Sequence, residues 1–180
     1  MLIRVAGITQ DSIVDGPGLR LVIFTQGCPH DCPGCHNPET HRFDGGRLMD
    51  TSEIIAMMDN NPLLSGITLT GGEPFCQAAI CAELAWAAQK RGLSVWTYTG
   101  YTYEHILERI IYGRSHCGPM RLLSATDVLV DGPYIEELRS LDIRFRGSRN
   151  QRLVNVKQSL SENRIIEWSE KDVQKSRGDK

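Results

Sequence analysis

The sequence has no long hydrophobic run and little net charge, and both absences narrow its functional class. No apolar stretch approaches the ~20 residues that a membrane-spanning helix needs. The formal net charge of −2 over 180 residues predicts no strong attraction to nucleic acid or to an anionic membrane. We therefore expect no nucleic-acid partner and no membrane partner.

The start of the chain lacks the features of a secretory signal. The segment MLIRVAGITQDS has neither a long apolar core nor a small-residue cleavage site. We therefore expect a cytoplasmic location, where cysteines stay mostly reduced. In that compartment, clustered cysteines favour metal or redox chemistry over structural disulfides.

Short apolar runs alternate with amphipathic helical patterns along most of the chain, which predicts an α/β fold with a mostly parallel sheet. The segment 113–124, which contains Gly118 and Pro119, is predicted as a loop. The first strand is predicted at the edge of the sheet. Asp50 and Glu53 are spaced as the cap and third residue of a helix. The predicted strands are 2–6, 21–24, 66–70, 93–99, 127–130 and 152–156, and the predicted helices are 51–60, 77–91 and 103–112.

Three of the six cysteines lie in one short segment, 26–40, directly after a predicted buried strand. Cys28, Cys32 and Cys35 have the spacing C-x3-C-x2-C, and neighbouring glycines and prolines keep the segment out of a helix. Thiolates are ligands for soft metals and for iron–sulfur clusters. The segment, called the cysteine loop below, is therefore the candidate functional site.

The cysteine loop allows more than one interpretation. A structural zinc site needs four ligands, and His30 or His36 could be the fourth. Three unrelated thiols are a second interpretation, which the tight spacing disfavours. An iron–sulfur cluster is the third. With three cysteine ligands, one iron of a cubane would stay open to an external molecule.

The cysteine spacing resembles the cluster motif of the radical S-adenosylmethionine superfamily. The resemblance implies a 4Fe-4S cluster on Cys28, Cys32 and Cys35, with S-adenosylmethionine on the open iron. It implies that an electron from the cluster splits the sulfonium and generates a 5′-deoxyadenosyl radical. Further strings agree with it, namely GGEP at 71–74, CHNP at 35–38 and DGPGLR at 15–20. The last of these is predicted to shape the substrate entrance or to orient the cysteine loop.

The same resemblance implies a set of cofactor-binding residues and no catalytic acid or base. The superfamily often has an aromatic residue before the third cysteine, where this chain has Gly34, and His36 could replace it against the adenine. Glycine and acidic residues after the second core strand resemble the motif that holds the methionine amino group. The implied set is Gly34, Cys35, His36, Gly71, Gly72, Glu73 and Thr99. Each also has a structural interpretation, such as a tight turn for the glycines or a strand end for Thr99.

The downstream half resembles the activating proteins of anaerobic (class III) ribonucleoside-triphosphate reductases. The strings that carry this likeness are YTGY at 98–101, DVLVDGPY at 127–134 and RGSRNQR at 146–152. The resemblance implies hydrogen-atom abstraction from a glycine of the reductase, with flavodoxin or ferredoxin as electron donor. It also implies an incomplete (partial) β/α barrel of radical-SAM type, formed by a single domain at 1–156 and followed by a polar tail at 157–180.

Several alternatives stay open at the level of sequence. The chain could activate another glycyl-radical enzyme of the formate-lyase type, or act on a small molecule as deazaguanine synthases do. A zinc-binding interaction module is the alternative that is not an enzyme. The segment 146–152 is either a solvated basic loop or a docking surface for the reductase. Cys81, Trp86 and Trp96 are predicted in the core.

Overall fold

A computed structural model describes residues 1–112 and 117–170. Seven strands form one sheet, and helices follow most of them. In chain order the elements are β1 (Leu2–Ser12), β2 (Arg20–Thr25), β3 (Arg47–Asp50), α1 (Thr51–Asn60), β4 (Gly66–Gly71), α2 (Ala78–Gln89), β5 (Ser94–Tyr98), α3 (Tyr103–Tyr112), α4 (Cys117–Ala125), β6 (Val128–Asp131), β7 (Arg152–Asn155) and α5 (Val156–Glu162). No helix within these ranges is long and apolar enough to cross a membrane.

The middle of the sheet is parallel. The strand order is β3-β1-β2-β4-β5-β6-β7, and β2, β4, β5 and β6 run in one direction. The pairs β1–β2, β1–β3 and β6–β7 are antiparallel. The predicted α/β class with a mostly parallel centre is thereby confirmed. The four parallel strands end at one side of the sheet, the carboxyl edge, and begin at the opposite side, the amino edge.

The prediction that the first strand lies at an edge is wrong. β1 has β2 on one side and β3 on the other, and β3 forms the edge of the sheet. The pattern of β3 is weak because Leu48 is exposed while Met49, opposite Ile3, is buried. A four-residue edge strand with one buried position gives little period-two signal.

The prediction of a loop at 113–124 is wrong over α4, and residues 113–116 lie outside the described ranges. Gly118 and Pro119 occupy the first turn of α4. A proline is tolerated there because the first backbone N–H groups of a helix have no intrahelical partner. A Cβ on Gly118 would lie 3.2 Å from the backbone nitrogen of Ala79, so α2 and α4 approach closely at this glycine.

The helix predicted at 51–60 is confirmed, and its start has a local cause. The Asp50 carboxylate accepts from the Ser52 N–H at 2.9 Å, and the Glu53 carboxylate accepts from the Asp50 N–H at 3.2 Å. These reciprocal hydrogen bonds form a capping box. They satisfy backbone groups that the first helical turn leaves free.

The sheet buries apolar side chains on both faces. The main core lies under α1 and α2 and includes Cys81, which is fully buried as predicted. The second cluster contains Trp96, whose ring meets the ring of Trp168 edge-on at 5.0 Å. The prediction that Trp86 is a core residue is wrong, since it is exposed on the outer side of α2.

Arg20 is fully buried at the amino edge, at the end of the DGPGLR string. Its guanidinium donates to Thr68 Oγ1 at 2.7 Å and to Ser94 Oγ at 3.0 Å, and it lies 5.7 Å from the centre of the Trp96 ring. Burial lowers the pKa of Arg20 to about 10. The string therefore holds the starts of the strands together, at the edge opposite the cysteine loop. Its role at a substrate entrance stays a prediction.

Candidate functional site

The cysteine loop leaves the end of β2 at the carboxyl edge and closes on itself. The side-chain amide of Gln26 donates to the Glu39 carbonyl at 3.0 Å and to the Arg42 carbonyl at 2.6 Å. The backbone N–H of Cys28 donates to the His41 carbonyl at 3.1 Å. Because Gln26 is itself buried, both ends of the loop are tied to one fixed side chain.

Backbone groups act on each of the three thiols. The backbone at His30 favours the thiolate of Cys28, and the backbone at Tyr134 favours that of Cys32, which partly offsets the effect of burial on the pKa of both. Asn37 donates to Cys35 Sγ at 3.4 Å. Tyr134 belongs to the DGPY string that follows β6, so a distant part of the chain completes the environment of the cysteines.

The three cysteines are free and half-buried. Burial raises the pKa of Cys28 to about 11 and also raises the pKa of Cys32. These two thiols are therefore protonated at neutral pH in the absence of a metal. Metal binding must displace their protons, which makes it favourable at higher pH.

The donor set fits a cluster better than a single ion. Within residues 1–112 and 117–170, no three side chains of His, Cys, Asp or Glu are arranged as ligands of one metal ion. A cubane binds each cysteine through a different iron, so its ligands need not converge as zinc ligands do. His30 and His36 contact Glu73 and Tyr134 respectively.

Gly71 and Gly72 let the end of β4 lie against the cysteine loop. Gly71 has φ of +91°, and a Cβ there would lie 2.6 Å from Phe24 Cα. A Cβ on Gly72 would lie 2.6 Å from the Gly27 carbonyl oxygen. The Gly72 N–H donates to the Thr25 carbonyl at 2.8 Å. These glycines therefore have a structural role, and their contact with S-adenosylmethionine stays a prediction.

Glu73 is fully buried and joins three segments of the carboxyl edge. Its Oε1 accepts from the Phe75 N–H at 2.9 Å, and its Oε2 accepts from the Gly100 N–H at 2.9 Å. The Thr99 hydroxyl lies within 3.0 Å of both oxygens, and His30 Nε2 lies 2.9 Å from Oε2. These partners use most of the acceptor capacity of a carboxylate. Cofactor contacts of Glu73 and Thr99 stay predictions.

Gly34 has a physical reason to be glycine. Its φ is +69°, and a Cβ there would lie 2.7 Å from the carboxyl carbon of Glu136. An aromatic residue at this position would be strained in its backbone and would clash with Glu136. The His36 ring packs against the Tyr134 ring at 4.9 Å, close to Cys35. Whether His36 meets the adenine stays a prediction.

Arg152 belongs to an ion-pair network at the end of β6. Its Nε donates to Asp131 at 2.9 Å, and its two terminal nitrogens donate to Glu104 at 3.0 and 2.7 Å. Asp131 is fully buried and also accepts from the Tyr103 N–H at 2.7 Å. The hydrogen bonds from Arg152 lower the pKa of Glu104 to about 2. Arg152 is thus an internal structural residue within the basic string 146–152.

Sequence reasoning did not find how Tyr134, Glu136, His30 and Gly100 shape this site. Tyr134 and Glu136 lie far from the loop in the chain, so only the fold shows that they reach it. His30 lies between two cysteines, and only the possibility of zinc binding drew attention to it. Gly100 faces the same imidazole, since a Cβ there would lie 2.4 Å from His30 Cδ2. The sequence signal for Gly100 was a glycine directly after a predicted strand.

Comparisons with known proteins agree with this geometry. Residues 14–154 match the family described as "4Fe-4S single cluster domain". The chain is 32% identical over 147 residues to an anaerobic ribonucleoside-triphosphate reductase-activating protein of Salmonella typhi, covering 77% of this chain and 90% of that protein. It is 34% identical over 146 residues to the protein of the same name from Enterobacteria phage T4, covering 78% and 86%.

The family match shows that the chain contains a single-cluster iron–sulfur domain. The chain belongs to the family of the anaerobic ribonucleoside-triphosphate reductase-activating proteins. This confirms the family that the sequence motifs predicted. The crystal structure of QueE from Escherichia coli shares 17% identity and a TM-score of 0.44 over 57% of this chain and 54% of that one, a likeness too low to support a conclusion.

Proposed function

We propose that the chain activates an anaerobic ribonucleoside-triphosphate reductase by generating a glycyl radical on it. The observation that supports this most is the loop of three free thiols, each acted on by a backbone group, at the carboxyl edge of a parallel sheet. Ligands of parallel α/β proteins bind at this edge. The names of the relatives supply the partner.

The residues of this chain would hold and orient the reactants. When bound, the 4Fe-4S cluster and S-adenosylmethionine supply, with one electron from a donor such as flavodoxin or ferredoxin, a 5′-deoxyadenosyl radical that takes a hydrogen atom from a glycine α-carbon. We propose Cys28, Cys32 and Cys35 as the cluster ligands. Transfer of a hydrogen atom needs no acid or base, so we propose none. The proposed contacts to S-adenosylmethionine are made by Gly34, Cys35, His36, Gly71, Gly72, Glu73 and Thr99.

We also propose that the sheet curves into an incomplete β/α barrel. The strand order supports this, because β3 and β7 form two separate edges and leave an opening for an extended glycine segment. The domain boundary at 156, the cytoplasmic location and the electron donor stay predictions. Residues 157–170 include most of α5 and Trp168, which packs on Trp96.

The proposed function is tested by anaerobic reconstitution with iron and sulfide, followed by dithionite, S-adenosylmethionine and the reductase. We expect a 4Fe-4S spectrum, release of methionine and 5′-deoxyadenosine, and a glycyl signal in electron paramagnetic resonance. Stoichiometric zinc without a cluster would contradict the proposal. A glycyl signal only with a formate-lyase type partner would keep the chemistry and change the substrate.

We propose that Arg146 and Arg149 contact the reductase. Arg149 is largely exposed, and its terminal nitrogen is 4.0 Å from Asp142, at the limit of an ion pair. The buried Nε of Arg146 has no hydrogen-bond partner within the described residues, although Nη1 donates to the Gln151 carbonyl at 3.1 Å. The exposed guanidinium of Arg149 therefore keeps donor capacity for a partner, and the partly buried Arg146 lies three residues away in the same basic string.

Replacing Arg146 and Arg149 by alanine should lower the yield of glycyl radical about tenfold, the effect of roughly 1.4 kcal/mol of lost binding. Cleavage of S-adenosylmethionine without the reductase should stay at the parent rate. Arg164→Ala is the control, because Arg164 is equally exposed but pairs with Glu162. An equal loss of both activities would assign the two arginines to the fold or the cofactor site.

A further inference from the structure

We propose that His30 is a positioning residue for the cluster ligands. Glu73 holds its side chain, and this fixes the turn between Cys28 and Cys32, whose backbone favours the Cys28 thiolate. The inference rests on the proposed function only in requiring that the cysteines bind a cluster. It assigns His30 neither to zinc nor to direct contact with a substrate.

The His30 imidazole is held on three sides. Its Nε2 lies 2.9 Å from Glu73 Oε2. Its ring meets the Tyr101 ring edge-on, with centroids 4.4 Å apart. Gly100 lies against the third side, where a Cβ would be 2.4 Å from His30 Cδ2. The side chain is only 16% exposed, so this is a fitted position and not a chance surface contact.

The pairing with Glu73 has a defined direction. Glu73 Oε2 already accepts from the Gly100 N–H, so we assign the proton of this contact to His30 Nε2. The other partners of Glu73 are the Thr99 hydroxyl and the backbone N–H groups of Phe75 and Gly100, all of them neutral. His30 is therefore the one ionisable donor among the described partners of this buried carboxylate. Removing it would leave a buried acceptor without one of its donors.

The backbone around His30 gives it little support of its own. Pro29 precedes it and lacks an N–H, and Asp31 follows it with φ of +45°, a conformation that costs energy in a residue other than glycine. No helix or strand covers these positions. The side-chain link to Glu73 is therefore what ties this turn to the ends of β4 and β5.

The turn matters because it joins Cys28 to Cys32, and its backbone at His30 favours the thiolate of Cys28. Hydrogen bonds to the sulfur ligands of a cluster stabilise the added negative charge of its reduced form and so raise the reduction potential. A fixed His30 keeps this backbone in place. The path from Glu73 to Cys28 thus connects the glycine–glutamate string to the redox properties of the loop.

The test compares His30→Ala and His30→Gln with His105→Ala in the reconstituted full chain. His105 lies in α3, and its ring stacks on the same Tyr101 ring with the centroids 5.1 Å apart. None of the described contacts joins His105 to Glu73 or to the cysteine loop. We expect the midpoint potential of the cluster to become more negative in His30→Ala and to shift less in His30→Gln, which keeps a donor. His105→Ala should keep the parent potential. The electron paramagnetic resonance spectrum of the reduced cluster should change in the same order.

Glu73→Gln tests the pair as a unit. Glu73→Gln also removes a negative charge, which by itself raises the potential, so the pair is read from the double variant: His30→Ala should shift the potential less in the Glu73→Gln background than in the parent chain. Equal potentials and spectra in His30→Ala and His105→Ala would overturn the inference. Circular dichroism of the apoproteins shows whether each variant folds. If His30→Ala does not fold, the comparison of His30→Gln with His105→Ala decides the question. A parent chain that takes up no cluster would refute the proposed function instead, so the two failures are distinguishable.

Discussion

The sheet has fully buried charged residues at both edges, and two of them, Glu73 and Arg20, have different surroundings. Glu73 lies at the carboxyl edge and Arg20 at the amino edge, and both are fully buried. The guanidinium donates only to neutral oxygens, including the Pro17 carbonyl at 3.2 Å and the Ser94 carbonyl at 3.1 Å. The carboxylate accepts from neutral donors and from His30, which belongs to the cysteine loop.

This difference separates a structural charge from one connected to the chemistry. All partners of Arg20 lie in the turn before β2 or at the starts of β4 and β5, so the guanidinium fixes how these strands begin. The partners of Glu73 lie at the ends of the same strands and extend to His30, whose backbone favours the Cys28 thiolate. Replacing Arg20 at the amino edge should therefore reduce stability, whereas replacing Glu73 at the carboxyl edge should also change the cofactor site.

The largest effect is expected from Cys32→Ala at the carboxyl edge. It removes one of three proposed cluster ligands, so cleavage of S-adenosylmethionine should be abolished, as measured by release of 5′-deoxyadenosine. Cys81→Ala is the matched control because Cys81 is buried in the core under α2, and it should cost about 1 kcal/mol of unfolding free energy with cleavage retained. Residual cleavage in Cys32→Ala would disprove the ligand assignment.

Arg20→Met at the amino edge should lower the free energy of unfolding by about 3 kcal/mol, because several buried oxygens lose their donor. Arg20→Lys should lose less, since an ammonium keeps a positive donor but not the planar fork. Urea unfolding followed by circular dichroism measures both. The cluster potential of the folded protein should not change. A shifted potential in Arg20→Lys would remove the contrast between the two edges.

Thr99→Val removes a hydroxyl donor to Glu73 while keeping the shape of the side chain. We expect a loss of about 1–2 kcal/mol of unfolding free energy in the apoprotein. Thr99→Ser keeps the hydroxyl and should stay within about 0.5 kcal/mol of the parent. The apoprotein is used so that any contact of Thr99 with the cofactor does not contribute. Equal stabilities of the valine and serine variants would show that the hydroxyl does not support Glu73.

The smallest effect is expected from Glu104→Gln, in the partly exposed pair with Arg152. Arg152 lowers the pKa of Glu104 from 4.5 to about 2, so the stabilisation is complete above pH 4.5 and is lost as the pH falls toward 2. Solvent screening limits it to about 1 kcal/mol or less. Unfolding measured from pH 6 to pH 2 should show parent and variant converging at low pH. A constant difference would mean that packing, and not charge, causes the effect.

Local patterns were sufficient for much of the fold and for the position of the cysteines. The capping box at Asp50 and the alternation of apolar runs predicted α1 and the parallel strands, because these signals lie within a few residues of one another. The start of α4 was not predictable from its composition. Gly118 and Pro119 indicate a loop unless one knows that they occupy the first turn of a helix packed closely on α2.

The hydrogen bonds of the site could not be predicted in the same way. His30, Glu73 and Thr99 meet only because β2, β4 and β5 are neighbours in the sheet and end at the same edge. Sequence alone assigned Glu73 to the cofactor and left His30 as a zinc candidate. Gly34 stands where the superfamily often has an aromatic residue, and this difference was visible in the sequence. The reason for the glycine is the nearby Glu136, which only the fold brings next to Gly34.

The contribution of the Tyr134 backbone to Cys32 has a consequence for biosynthesis. The cysteine loop leaves the ribosome early, whereas Tyr134 follows the last parallel strand and is translated much later. The sulfur environment is therefore incomplete until β6 has joined the sheet. A cysteine loop folded before β6 would hold all three cysteines but would lack this contribution of Tyr134 to Cys32.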